Sequence, residues 1–347
     1  MTTLEDDLEP LFGSQHRRTC SGRCWVLTAL ITAVSVGLLL AGYNYYWKDV
    51  VSVRVMSYNT WGMPAAFGSF DKEERMVKIG EMLANGDYDI VMLEELWTRA
   101  DHTTISNAVS GQYHMTSYDD FNDVDGSCVL CPAPAGCSGL AIISRYPIKE
   151  TNFTKFTSQG SLSHLFSDGE YLAAKGIGSV KVVPREGVTV DVFVTHTISE
   201  DSNYAIREQH ADQIIDLIDN SKADFVILGG DFNASPLMEL DKTYHKVKKV
   251  MTDAFQEIMA NINAWLKDEF ATYANPRNTY TGGREDLKPV IYDYIFHKKN
   301  TPDIGLIWAK WFYLPLLKTI NSFNNNTISL SDHEPVTSHL YLWKQQQ

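Results

Sequence analysis

Four short segments of this 347-residue chain set acids, amides and imidazoles at spacings suited to metal-assisted hydrolysis. Residues 56–61 carry Asn59 directly after an apolar run, where an Asn also serves as an ordinary turn former. Residues 89–95 end an apolar run in two carboxylates. A hard divalent cation needs oxygen ligands, and Glu95 at a strand end supplies one at fixed geometry; the same acids would also protect an edge strand. In residues 228–236 the paired glycines let the backbone turn tightly, while Asp231 and Asn233, two apart, can aim a carboxylate and an amide at one small volume. Residues 330–336 place Asp332 beside His333, an imidazole that titrates near neutral pH as a general base must. Upstream, Asp293 lies in a β-type run; buried beside His333 it would fix the ring tautomer and stabilise the imidazolium.

Such groups need elements to position them. Apolar β-type runs cover 50–57, 89–94, 139–144, 176–183, 189–195, 225–229 and 291–297, with helical periodicity over 72–83 and 205–218. Asn59, Glu95, His196, Asp231 and Asn233 each fall at or just past the carboxyl end of such a run. One would be a turn residue; five point to a shared cleft. The pattern predicts an α/β domain of two packed sheets with helices outside. No repeat or low-complexity tract divides it. His164, His210 and His297 read as packing or surface residues.

The formal net charge of −13 argues against a partner gripped by its phosphate backbone, which calls for a basic patch. Lys246, Lys248 and Lys249, with Lys242 and His245 nearby, form the longest basic cluster and read as a solvated helix face. Cys128, Cys131 and Cys137 fall within ten residues, enough for one disulfide or three soft metal ligands. Residues 25–47 contain no charge and close on Tyr43, Tyr45, Tyr46 and Trp47, as a membrane-spanning helix does at an interface. A cleaved signal peptide is the competing reading, but the apolar stretch is long for one. Arg17, Arg18 and Arg23 before the span predict a cytoplasmic tail over 1–24, an anchor over 25–47 and a lumenal or extracellular catalytic domain over 48–347. In that oxidising compartment a disulfide is the expected state of the cysteine loop. Sequons at Asn152 and Asn325 fit that side; the one at Asn233, inside the expected cleft, does not.

The order strand-Asn, strand-Glu, Gly-Asp-Phe-Asn and Ser-Asp-His, running from 53 to 340, resembles the endonuclease, exonuclease and phosphatase superfamily, the deoxyribonuclease-I-like proteins. That resemblance implies a four-layer α/β/β/α sandwich, here preceded by one transmembrane helix, with the site at the open edge of the sheets. It implies Glu95 as the main magnesium ligand, with manganese able to substitute, and Asn59 close to the metal or phosphate. Asp332 becomes a metal-linked carboxylate or one that supports a ligand from behind, and Glu95 rather than Glu94, which falls where many members carry Gln or Asn, is the expected ligand. Asp231 and Asn233 would position the attacking water and a phosphate oxygen, His196 would contact the phosphate, and His333 would be the general base oriented by Asp293.

Residues 167–171, Lys175 to Gly178, and the pairing of Asn203-Tyr204 with Arg207-Glu208-Gln209 resemble neutral sphingomyelinases. Lys175 would either meet a phosphate or cap a strand. The implied substrate is a membrane phospholipid or sphingolipid, with sphingomyelin cleaved to ceramide and phosphocholine. A membrane-anchored nuclease is the alternative, and a catalytically silent receptor on the same fold a third. Residues 304–317, rich in Trp and Tyr, suit either the bilayer interface or a core strand followed by a turn. For the topology, protease added to intact microsomes should spare the domain beyond residue 48; its digestion there would put that domain in the cytosol.

Overall fold

The computed structural model describes residues 29–38, 50–64, 69–122, 136–160, 170–255, 270–282, 284–302, 304–313, 317–320 and 326–344. The chain divides into two compact units, Met1–Asp49 and Val50–Gln347. Within the first, residues 29–38 are helical and exposed. The rest of the expected 25–47 anchor lies outside the described residues, and no described helix is long and apolar enough to cross a membrane.

In the second unit the strands are β1 (Val50–Asn59), β2 (Ile90–Glu94), β3 (His114–Met115), β4 (Ala141–Ser144), β5 (Glu150–Lys155), β6 (Gly176–Arg185), β7 (Val188–His196), β8 (Phe225–Asp231), β9 (Thr252–Asp253), β10 (Asp293–Lys299), β11 (Ile304–Tyr313), β12 (Lys318–Ile320), β13 (Thr327–Ser329) and β14 (Val336–Lys344). The helices are α1 (Lys72–Asn85), α2 (Arg99–Val109), α3 (Tyr118–Asn122), α4 (Tyr204–Asp219) and α5 (Thr243–Val250). Two six-stranded mixed sheets form, ordered β11-β14-β1-β2-β4-β3 and β5-β6-β7-β8-β10-β9. Each holds one parallel pair, β1 with β2 and β7 with β8, and a helix, α1 or α4, crosses between the strands of each pair.

Strand alternation builds the layers. Ile90 and Met92 of β2 join Val53 and Val55 in the core shared with Val190, Val192 and Val194 of the second sheet, while Val91 and Leu93 turn outward to Met76 and Ile79 of α1 and Ile105 of α2. Strands covered on both faces need no polar side, so β2 and β8 are buried throughout. Ala211, Ile214 and Ile218 of α4 and Val247 of α5 join the core of the second sheet. The architecture is the expected α/β sandwich. Residues 304–313 form a strand paired with β14 at the end of its sheet, as the strand reading of that segment expects. Cys137 is disulfide-bonded; Cys128 and Cys131 lie outside the described residues.

Gly230 sets the spacing of the parallel pair at its functional end. A Cβ there would sit 2.0 Å from the backbone oxygen of Thr195, which cannot swing aside. Gly230→Ala should therefore destabilise the domain by about 1–3 kcal/mol through overpacking, measured by denaturant unfolding, with a matching loss of site function.

Candidate active site

Topology collects the site at one edge. The parallel pairs end on the same side, so Asn59 meets the Glu94-Glu95 turn and His196 stands in register with Asp231. Strand β10 runs antiparallel to β8 and starts where β8 ends, placing Asp293 opposite Asp231. Strand β14 begins opposite Ser57, which brings residues 331–333 to the same edge. Registered neighbours project to one face, so His196, Asp231 and Asp293 form a row. Asn59 joins the two sheets, its Nδ2 donating to Glu95 Oε1 at 3.1 Å and to Asp231 Oδ2 at 3.0 Å.

The two adjacent glutamates part company. Glu94 keeps the inward phase of β2 and is fully buried between the sheets, accepting from Ser57 Oγ at 2.9 Å, with its Oε2 lacking a hydrogen bond. Burial, then Asp293, hold its carboxyl well above the usual range. Glu95 leaves the strand with φ of 56° and turns into the cleft. Asn233, at φ 45°, donates its backbone N–H to Asp231 Oδ1 at 2.8 Å and its Nδ2 to Thr197 O at 3.1 Å. Both short turns hold non-glycine residues in left-handed backbone, a conformation seen mainly where the surroundings enforce it.

His333 Nδ1 lies 2.9 Å from Asp293 Oδ2, and its Nε2 lies 3.7 Å from Asp231 Oδ2. Burial works to lower the imidazole pKa, but Asp293 and Asp231 outweigh it and hold the ring well above its ordinary value. His196 goes the other way: burial, then Lys175 and His333, push it well below, although its Nε2 is 3.6 Å from the same Asp231 oxygen. Burial also raises Asp231 and Asp332 to about 6, helped by Asp293 and by Glu95 respectively.

All the sequence-predicted site residues except Asn59 and Asp293 line one cleft of about 860 Å³; those two stand directly behind it, hydrogen-bonded to Glu95, Asp231 and His333. Lys175 is buried and pairs with Glu170 Oε2 at 3.3 Å, its Nζ 5.8 Å from the Trp97 ring centre. Its side chain is therefore a charge within the wall of the cleft, while its backbone, directly before β6, accepts from Phe156 N at 3.0 Å. Four side chains beyond the sequence-predicted set support the site. Trp97 and Glu170 line the cleft, and the Tyr273 ring packs 5.0 Å from that of His333. Buried Arg75 donates to Thr60 O, Leu330 O and Trp61 O at 2.8 to 2.9 Å, locking the loop after β1 to the segment before Ser331. Trp97, two residues past Glu95, was legible as a neighbour of the site. Arg75 carries no local signal, because an arginine in a helix is ordinarily exposed.

Oxygen donors dominate the candidate metal centre. Ligand atoms of Asp231, Asp293 and His333 lie within 4.8 Å of one another. The hydrogen bond from His333 already engages Asp293, so the open faces of Glu95, Asp332 and Asp231 suit a hard cation better. Their raised carboxyls are the independent sign: buried acids outnumber the cations beside them, and a divalent ion would let them ionise. Asn59 as placed offers its nitrogen to the carboxylates while its Oδ1 accepts from Trp61 N at 3.0 Å, so it would become a ligand only after its amide turned over.

Residues 56–333 match the Endonuclease/Exonuclease/phosphatase family. Sphingomyelin phosphodiesterase 2 of Homo sapiens is 25% identical over 304 residues, covering 84% of this chain and 64% of the relative. Inositol phosphosphingolipids phospholipase C of Schizosaccharomyces pombe is 31% identical over 272 residues, covering 72% and 61%. The chain thus spans less than two thirds of either relative's length. Among solved structures, sphingomyelinase C from Streptomyces griseocarneus superposes with a TM-score of 0.59 at 20% identity, covering 83% of this chain and 99% of that one. A Staphylococcus aureus beta toxin mutant with bound magnesium ions gives 0.57 at 20% identity, covering 85% and 100%.

The pKa directions imply a stability profile. Asp231 and Asp332 bind protons more tightly folded than unfolded, so their contribution is present below about pH 4 and is lost as pH rises through about 6. His333, also raised, adds stability below its unfolded value that is lost through its higher folded one. Both signs agree. Melting temperature of the metal-stripped protein should fall as pH rises from about 4 to about 7, magnesium should restore it near pH 7, and Asp231→Asn should shrink both effects. A flat profile would refute the crowded-carboxylate account.

Proposed function

We propose that this chain, which belongs to the Endonuclease/Exonuclease/phosphatase family, is a magnesium-dependent phosphodiesterase acting on a sphingolipid, with cleavage of sphingomyelin to ceramide and phosphocholine as the leading reaction. The observation that carries the reading is the His333–Asp293 pair set against Asp231, facing Glu95 and Asp332 across one cleft. The similarity to the human sphingomyelin phosphodiesterase supports the substrate class, and the similarity to the yeast phospholipase C keeps an inositol-bearing headgroup as the second reading. An acidic chain supports a lipid over DNA. The uncharged 25–47 segment, with Arg17, Arg18 and Arg23 before it, supports a membrane anchor that holds the catalytic unit on the lumenal or extracellular side.

Glu95 and Asp332 would hold the cation, with Asp231 beside them. Bound there, it would neutralise charge developing on the phosphoryl oxygens. The chain's own groups do the rest. In the unprotonated ring the His333 Nδ1–H donates to Asp293 and Nε2 faces the cleft to take the proton of the attacking water; because Asp293 and Asp231 raise the ring's pKa, this form is reached above the ordinary imidazole range. Asn233 and neutral His196 hold a phosphate oxygen without adding charge to the ground state. Water attacks phosphorus in line as the P–O bond to the lipid breaks, and the departing lipid oxygen takes a proton from solvent and leaves as the alcohol, so no covalent enzyme intermediate is required.

Turnover should vanish with a chelator and in Glu95→Gln, and return with magnesium or manganese only in the unsubstituted protein. His333→Ala should lower turnover by roughly two to four powers of ten with little change in substrate binding. Asp293→Asn should also lower it, and the double variant should be barely worse than His333→Ala, because the two act as a unit. The assay is a set of initial rates on sphingomyelin, inositol phosphosphingolipid, lysophospholipid and DNA run in parallel, with melting temperature to set aside unfolded variants. Losses that multiply would break the pair; full turnover in excess chelator would break the mechanism.

A further inference from the structure

The loop that leaves the site between β8 and α5 carries Leu237 and Leu240, 75% and 71% exposed, more than any other large apolar side chain described in the catalytic unit. A single exposed leucine needs no explanation. Here the backbone that holds the two out is pinned at both ends. Buried Ser235 accepts Leu237 N at 3.3 Å through Oγ and Met238 N at 3.0 Å through its carbonyl oxygen. At the other end buried Asp241 accepts Arg207 Nε at 2.6 Å and Thr243 N at 2.8 Å. His245, in the first turn of α5, lies with Nε2 3.3 Å from Pro236 O, so the loop rests on that helix. The leucines are therefore held in water by a built turn, and flexible disorder does not account for them.

Two further features select what they meet. Leu237 joins Met238, Leu287, Pro289 and Val290 among the apolar residues that line the same cleft as the acids. From 237 to 250 the chain carries four lysines against two acids. One acid, Asp241, is consumed by Arg207; the other, Glu239, is exposed on the tip beside Lys242. Lys246 is engaged by Glu208 and Asp212, while Lys249 is exposed and Lys248 lies over the Tyr244 ring. Leucines beside a locally basic helix, on an otherwise acidic protein, complement a surface of apolar chains beneath phosphate groups.

We infer that the 236–240 loop is an interfacial contact, with Leu237 and Leu240 seated in the headgroup region of a phospholipid bilayer so that the apolar wall opens onto the membrane. This rests on the reading of the cleft as a lipid phosphodiesterase. Lipid would then pass from the bilayer along Val290 and Met238 toward Asp231 without crossing water.

The test uses the full chain reconstituted in phosphatidylcholine vesicles, some of whose lipids carry bromine near the carboxyl end of the acyl chain. Leu240→Trp should add tryptophan fluorescence that the brominated lipid quenches, whereas Thr103→Trp, on the exposed face of α2, should add fluorescence that it does not. In parallel, Leu240→Glu should lower turnover of vesicle sphingomyelin about tenfold or more, the scale of one lost apolar burial, and leave turnover of a water-soluble p-nitrophenyl phosphodiester unchanged. Quenching together with the selective loss supports the contact. Absence of quenching at 240 overturns it, as does equal loss on both substrates. The quenching does not depend on turnover, so a protein that cleaves none of these esters yet is quenched at 240 would refute the enzymatic reading and retain the surface.

Discussion

Five carboxyl groups, those of Glu94, Glu95, Asp231, Asp293 and Asp332, converge on one edge of the sandwich, and like charges brought together out of water oppose folding. The protein answers each differently. Glu94 retreats between the sheets, where Ser57 meets one oxygen and burial favours the neutral acid. Asp293 is spent on His333, and Asp231 collects hydrogen bonds from Asn59 and from the Asn233 backbone. Glu95 accepts from Asn59 and, at 3.5 Å, from Trp97 Nε1, and Asp332 from Ser331, all of them neutral donors. That residue of unanswered charge is what makes the cleft a place for a cation.

The sheets make the crowding unavoidable. A parallel pair with a helical crossover returns both strands to the same edge, and each sheet uses that device once, with β1 and β2 in one and β7 and β8 in the other. Asn59 then ties the two edges through a single amide. The sheets approach closely there because Gly229 has no side chain: a Cβ would lie 2.3 Å from Met92 Cε and 3.1 Å from Ser57 Oγ. Arg75 supplies the remaining constraint, since the carbonyls of Thr60, Trp61 and Leu330 share its buried guanidinium, which keeps the His333 segment beside the end of β1.

Much of this was legible in the residues. The apolar runs located β1, β2, β4, β6, β7, β8 and β10 within a few residues, because doubly covered strands are continuous hydrophobic stretches bounded by polar turns. Polar residues at their carboxyl ends foretold the cleft. Strand β14 went unread although Leu340 and Leu342 alternate with half-exposed His339 and Tyr341, a period that nine residues show only once the sheet face is known. What sequence could not show was long-range pairing. Nothing near Arg75 names Leu330 as its acceptor, 255 residues away, and nothing in Lys175 distinguishes an ion pair with Glu170 from a strand cap. The same limit applies to Leu237 and Leu240, whose exposure depends on Arg207 and Asp241 pinning the turn.

Two histidines flank one carboxylate oxygen at nearly the same distance, 3.6 Å for His196 and 3.7 Å for His333, and yet their proton affinities move in opposite directions. Proximity to Asp231 therefore does not decide their character. The difference lies behind the rings. His333 Nδ1 has Asp293 at 2.9 Å, a charge that stabilises the imidazolium, whereas His196 Nδ1 is buried without a hydrogen bond and Lys175 stands near. One ring can take up and hold a proton; the other stays neutral and can only donate or accept a hydrogen bond. The fold thus obtains two proton affinities from identical side chains by what stands on the far side of each, the kind of divergence that separates proton-accepting from neutral hydrogen-bonding groups in one cleft.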